Sequence, residues 1–216
     1  MRVPSVAEAE ALLEAGHAQN PGPWREHSCN VALSARRIAE GCRARGHTHL
    51  DPETAYALGL LHDIGRQEGV TNMRHTLDGY TFLADLGYED AARICLTHSL
   101  QLQDTDYIFG VWDCSARELA FVRNYIAALS YDDYDRLFQL CDCLALAQGL
   151  CLLEQRMVDV ALRHGVSEVT VPKWQATFDL KRHFETLLGG SIYAVLPGVV
   201  ETTFGVDSHN LVTPQG

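Results

Sequence analysis

The chain has 216 residues, with 17 lysines and arginines against 28 aspartates and glutamates, a formal charge of −11 at neutral pH. That length suits one domain with its own core plus short appendages, and a hydrophobic fraction of 47% with 21% charged residues excludes a disordered chain. The acidic balance, without clustered lysine or arginine, speaks against a nucleic-acid polymer or an anionic membrane as partner, because neutralising phosphates needs such clusters. No apolar run approaches the roughly 20 residues that a membrane-spanning helix needs. The opening stretch MRVPSVAEAEALLEAGH lacks a cationic segment followed by an apolar one, so no signal peptide is expected. Seven cysteines (29, 42, 95, 114, 141, 143 and 151) are an odd number without a CxxC pair. Several fall in apolar helical stretches, where cysteine acts as a small hydrophobe, so reduced thiols and a cytoplasmic protein are expected.

The patterning is helical almost throughout. Ser5 and Glu8 have the spacing of a capping box that opens a short helix to about Ala15. After Pro23 a long segment repeats His27, Val31, Ala35, Ile38 and Cys42 at helical spacing. Asp51-Pro52 reads as an N-cap with proline in the first turn, and Gly65 as the close of that helix. Helices are expected from about Arg74 to Leu86, stopped by Gly87, and from Glu89 to about Ser99. A second capping box, Ser115 with Glu118, opens one that reaches about Leu129. Helices over 132–148, 152–164 and 172–188 follow, the last two stopped by Gly165 and by Gly189-Gly190. Val166–Val171 and Val195–Val200 have strand-like composition but no partners. The expected class is all-α. Two connections, Gly65–Met73 and Leu100–Cys114, are longer than a helical bundle needs. The second carries Tyr107, Phe109 and Trp112, which suits either a lid over a site or a loop that buries its own aromatics.

Chemistry concentrates where polar residues interrupt apolar helices. Leu137–Ala147 is apolar on nearly every face except for Asp142, which on a continuous helix shares a side with Phe138, Ala145 and Leu146. A carboxylate desolvated there must be paired, protonated or bound to a metal. Taken alone, a structural salt bridge or an interhelical hydrogen bond would satisfy it. The stretch AYALGLLHDIG likewise ends in adjacent His62 and Asp63 before a glycine. His27, His75 and His98 add three histidines in helical settings. Histidines 17, 47, 49, 164, 183 and 209 fall in surface-like or terminal contexts and are assigned no part. Cys141 and Cys143 point about 200° apart on a helix and are expected in core packing.

The order His27, His62-Asp63, Asp142, with the segment LGLLHDIGR, resembles the signature of the HD-domain superfamily of metal-dependent phosphohydrolases. The resemblance covers roughly residues 23–150. It implies an HD-domain helical bundle over 23–150, with residues 1–22 as an N-terminal helical extension and 151–216 as C-terminal helices and a tail on the same domain. That tail, from Gly198, has little pattern and is expected to be extended or partly disordered. The resemblance further implies a divalent metal, one or two ions among Fe, Mn, Co, Ni or Zn, held by His27, His62, Asp63 and Asp142. Asp63 would bridge to a second ion completed by His75 and His98. Imidazole with carboxylate suits such borderline ions, and a carboxylate can bridge because it has two oxygens. A bound ion lowers the pKa of water from 15.7 to roughly 7 and offsets phosphoryl charge, which lets an acidic protein accept an anion.

Arg66, directly after HDIG, is a candidate phosphate contact with bidentate capacity, or else a solvated helix-end cation. Arg74 is a weaker candidate. Asp63 and Arg66 are thus the expected catalytic residues. The implied reaction is hydrolysis of a phosphate ester, with a nucleotide or related small phosphorylated molecule as substrate. The GYP tripeptide of cyclic-dinucleotide phosphodiesterases is absent, since Asp78-Gly79-Tyr80 is followed by Thr81. Two other functions share the scaffold: a di-iron oxygenase, which the same six ligands would serve, and a non-catalytic ligand-binding domain, which would not need all six.

Overall fold

Ser5 accepts the Glu8 amide while the Glu8 carboxylate takes the Ser5 amide back, and this reciprocal cap starts α1 (Val6–Gln19), longer than its pattern suggested. The computed structural model describes residues 1–206. After α1 come α2 (Trp24–Ala44), α3 (Pro52–Leu61), a 3₁₀ turn (Ile64–Glu68), α4 (Arg74–Asp85), α5 (Glu89–Thr97) and α6 (Ala116–Ala128). Then follow α7 (Asp133–Cys141), a one-turn 3₁₀ helix (Asp142–Leu144), a two-residue hairpin of β1 (Ala145–Leu146) and β2 (Gly149–Leu150), α8 (Leu153–His164), α9 (Thr170–Leu188) and α10 (Val199–Phe204). The fold is all-α but for that hairpin, in which Ala145 faces Leu150 and Leu146 faces Gly149 in antiparallel register. No helix among the described residues is long and apolar enough to cross a membrane.

The core gathers Val31, Ala35 and Ile38 of α2, Leu58 and Leu61 of α3, Phe138 and Leu140 of α7 and Phe184 of α9, all at most 1% exposed. The α2–α3 contact depends on Gly59, where an added Cβ would lie 2.8 Å from the Ala32 nitrogen. A smaller cluster of Leu77, Leu96, Leu100, Val122 and Ile126 seats α6 against α4 and α5. All seven cysteines are free of disulfides.

Several expectations fail in instructive ways. The helix expected over 132–148 ends at Cys141, so Asp142 shares no helical face with Ala145 and Leu146. Gly149 turns the chain back at φ +147°, a conformation that favours glycine, and Asn30 Nδ2 donates to the carbonyls of Leu146 and Ala147, which fixes the hairpin against α2. Gly65 does not close α3. That helix stops at Leu61, and Gly65 lies inside the following 3₁₀ turn, pressed against α4. The valine-rich pieces are not strands: Val166 is exposed in an irregular stretch, α9 begins at Thr170, and Val199 and Val200 open α10, and among the described residues no neighbouring edge pairs with them. The tail is therefore helical rather than extended over Val199–Phe204, and its part beyond residue 206 lies outside the described residues. The loop Leu100–Cys114 divides between its two expected roles: Leu100 and Thr105 are buried and Trp112 donates to the Thr105 carbonyl at 2.8 Å, whereas Phe109 faces a cavity.

Candidate metal centre

Helix ends converge on one point. His62, His98 and Asp142 are the C-cap residues of α3, α5 and α7. Asp63 follows His62, His75 is the second residue of α4, and His27 lies in the first turn of α2. Three helix C-termini thus aim their partial negative charge at the same space, a field that favours a cation. His62 and His98 are fully enclosed or nearly so, at 0% and 2% exposure, and Asp63 and His75 are similarly buried.

The imidazoles are oriented by the backbone. His62 Nδ1 lies 2.8 Å from the Gly59 carbonyl, His98 Nδ1 lies 3.2 Å from the Ile94 carbonyl, and His75 Nδ1 contacts the Asn72 carbonyl. A carbonyl only accepts, so Nδ1 carries the proton in each ring and Nε2 presents a lone pair to the centre. Ligand atoms of His27, His62 and Asp63 lie within 4.8 Å of one another, as do those of Asp63, His75 and His98. Asp142 Oδ1 is 2.9 Å from His27 Nε2 and 3.9 Å from His62 Nε2.

These atoms fit a metal ion better than they fit one another. His62 Nε2 and Asp63 Oδ1 are buried without a hydrogen-bond partner, a costly state for polar atoms. Asp63 Oδ1 lies 3.1 Å from His75 Nε2 and 3.6 Å from His98 Nε2, an acceptor facing two acceptors. Ligands at bond lengths near 2.1 Å around one ion stand about 3 Å apart, so a cation reconciles such contacts.

Protonation follows the same geometry. Burial lowers the His62 imidazole and pushes His98 down to about 3, outweighing nearby carboxylates, so both rings are neutral. Burial alone would raise Asp63, but the Arg66 guanidinium, then His75 and His62, hold its carboxyl well below the usual carboxylate range. Burial is likewise overcome at Asp142, chiefly by the His27 hydrogen bond and then by Arg156.

His27, Asp63, His75, His98 and Asp142 line a cavity of about 660 Å³, with His62 fully buried behind them. Arg66 lies in its wall, with Nε donating to Asp63 Oδ2 at 2.6 Å and Nη2 3.4 Å from His75 Nε2. Arg74 does not line it, and instead pairs with Asp78 at 3.3 Å and Glu118 at 3.4 Å. Cys143, expected in the core, is half-buried in the cavity wall, because the helix ends before it; burial pushes its thiol up to about 12. The cavity also takes Phe109, from the loop whose aromatics suit a lid, and Trp24, Arg156, Arg163, His164, Lys173 and Trp174, which the sequence did not single out for the site. For α8 the only sequence signal was basic residues at 156 and 163 flanking Asp159, which reads equally well as a solvated face. His49 and His183 lie away from the cluster and pair with Asp133 at 2.7 and 2.9 Å.

A family model described as HD domain matches residues 24–147, a span that holds all six clustered residues. No curated protein and no solved structure matches the chain.

Proposed function

The chain belongs to the HD domain family, a superfamily of metal-dependent phosphohydrolases whose domain binds divalent metals, and from that premise we propose that it hydrolyses a phosphate ester of a small molecule. The observation that carries this reading is the pair of ligand triads joined at Asp63, with inward atoms that lack protein partners, beneath a cavity flanked by Arg66. His27, His62, Asp63 and Asp142 would hold one divalent ion, and Asp63, His75 and His98 a second. A bound ion supplies acidification of water and neutralisation of phosphoryl charge. The chain's own part is positional. Backbone carbonyls fix the three Nδ1 atoms, so each Nε2 is aimed inward. Asp63 stays ionised and offers one oxygen to each triad. Arg66, free to turn from Asp63 Oδ2 once that oxygen has another partner, presents a planar fork to phosphoryl oxygens.

The test combines metal content and turnover. Protein purified anaerobically without chelators is expected to carry one or two divalent ions per chain and to release inorganic phosphate from phosphate monoesters. Asp142→Asn is expected to lower metal occupancy and reduce turnover at least ~100-fold. A chain that neither carries nor takes up metal refutes the reading. So does a metal-loaded chain inactive on all phosphate esters, and substrate-dependent oxygen consumption would assign the centre to oxygenase chemistry instead.

A further inference from the structure

α8 lies outside the matched segment 24–147, yet Arg156, Met157, Asp159, Val160, Arg163 and His164 all line the cavity over the cluster. Arg156 Nη1 donates to Asp159 Oδ2 at 2.8 Å, and Arg163 Nη2 donates to the same oxygen at 2.9 Å. One carboxylate therefore holds two guanidiniums, with one positive charge left over. Arg156 is the deep member, its side chain 17% exposed, with Nη2 4.0 Å from Asp142 Oδ1. That separation exceeds a hydrogen bond, and Asp142 already pairs with His27, so service as a counter-ion to Asp142 leaves Arg156 with N–H donors to spare. Arg163 is the outer member, half exposed at the rim.

The charge count agrees. Four side-chain cations (Arg66, Arg156, Arg163, Lys173) line the cavity against three carboxylates (Asp63, Asp142, Asp159), in a chain whose formal charge is −11. Lys173 is engaged, since its Nζ donates to the carbonyls of Ser99 at 2.8 Å and Tyr107 at 3.1 Å. Arg66 stands on the Asp63 side of the cluster and Arg156 on the Asp142 side. The surplus cationic donors are thus those of α8, running from the cluster to the mouth.

We propose that Arg156 and Arg163, tied together by Asp159, form a subsite for a second anionic group of the substrate, so that the preferred substrates carry two anionic groups, one at the cluster and one along α8. This rests on the reading of the site as one for phosphorylated small molecules.

4-Hydroxybutylphosphonate and pentane-1,5-bisphosphonate, in which a CH₂ replaces each ester oxygen so that no ester bond is left to hydrolyse, stand in for propane-1,3-diol monophosphate and its bisphosphate and differ only in the second anion, and isothermal titration of the anaerobic protein as purified measures both without turnover. The bisphosphonate is expected to bind at least about tenfold tighter, the scale of added charge-assisted hydrogen bonds. Arg163→Gln, a half-exposed change that leaves the fold intact, should reduce that preference to about the twofold of two equivalent phosphonate groups, with monophosphonate affinity unchanged. Arg156→Gln should do the same to the preference. Equal affinity in the parent protein, an intact preference in Arg163→Gln, equal weakening of both ligands, or no binding of either overturns the subsite. Phosphate release from monoesters without any preference leaves hydrolysis standing and removes the subsite. A preference lost in Arg163→Gln without phosphate release does the reverse.

Discussion

Replacing Gly65 by alanine adds one methyl group at the tightest backbone approach near the cluster. An ideal Cβ there would sit under 3.0 Å from the His75 carbonyl oxygen, the His75 carbonyl carbon and the Gly79 nitrogen, closer than real Cβ atoms come. Overpacking costs about 1–3 kcal/mol when neighbours can yield. Here the obstacles are main-chain atoms of α4, and α4 cannot retreat, because Gly79 itself packs on Cys95 of α5, where an added Cβ would meet Sγ at 2.9 Å. The cost therefore belongs at the upper end, about 3 kcal/mol, out of a total stability of about 5–15 kcal/mol. At roughly 2–4 °C per kcal/mol for a chain of this size, the melting temperature should fall by about 10 °C. Urea unfolding and thermal melts followed by circular dichroism check this, with Gly190→Ala as the control, since a Cβ there meets nothing within 4 Å. Because α4 carries His75, Gly65→Ala should also weaken metal uptake. A Gly65→Ala protein within ~0.5 kcal/mol of the parent would show that the turn after Asp63 is not held by this contact.

Chelator-treated protein should lose stability as pH falls from about 6.5 toward 3. Burial lowers the folded-state pKa of His98 to about 3, so over that window the unfolded chain binds more protons, and His98→Gln should flatten the slope of urea midpoint against pH. The depressed Asp63 and Asp142 carboxylates act in the same direction below about pH 4, where the unfolded chain takes up their protons first. Lys173→Met leaves the Ser99 and Tyr107 carbonyls without their shared donor, which should cost about 1–3 kcal/mol. Limited proteolysis should then cut faster within residues 100–111 at unchanged metal content, and an unchanged cleavage rate would refute the role of Lys173 in holding that loop.

What could be read from the sequence was what local chemistry decides. The capping boxes at Ser5 and Ser115 involve partners three residues apart, and both form as their spacing predicts. His62-Asp63 and Asp142 stood out because a polar group inside an apolar helix demands a reason, and the structure gathers them with His27, His75 and His98 in one cluster. What could not be read depends on partners far away in the chain. Leu144–Leu146 continues an apolar helical pattern, and only the Gly149 turn and the bonds from Asn30, more than a hundred residues earlier, convert it into a hairpin. That conversion matters for the site. A helix continued through 148 would hold the Asp142 carbonyl in its own ladder, whereas a stop there makes Asp142 a C-cap beside two others.

The same distinction explains α8. Arg156, Asp159 and Arg163 lie three and four residues apart, the spacing of an ordinary ion-paired surface, and nothing local marks them as a cavity wall. Their direction is set by Leu153 and Met157, which are buried in the core and rotate α8 so that its charged strip meets Asp142. Ligand atoms are thus legible where burial is expensive for each residue by itself. Substrate-facing atoms are not, because an arginine in a cavity wall and one on an open surface have the same spacing in the sequence, and only the burial of neighbours such as Leu153 and Met157 on its helix decides which of the two it is.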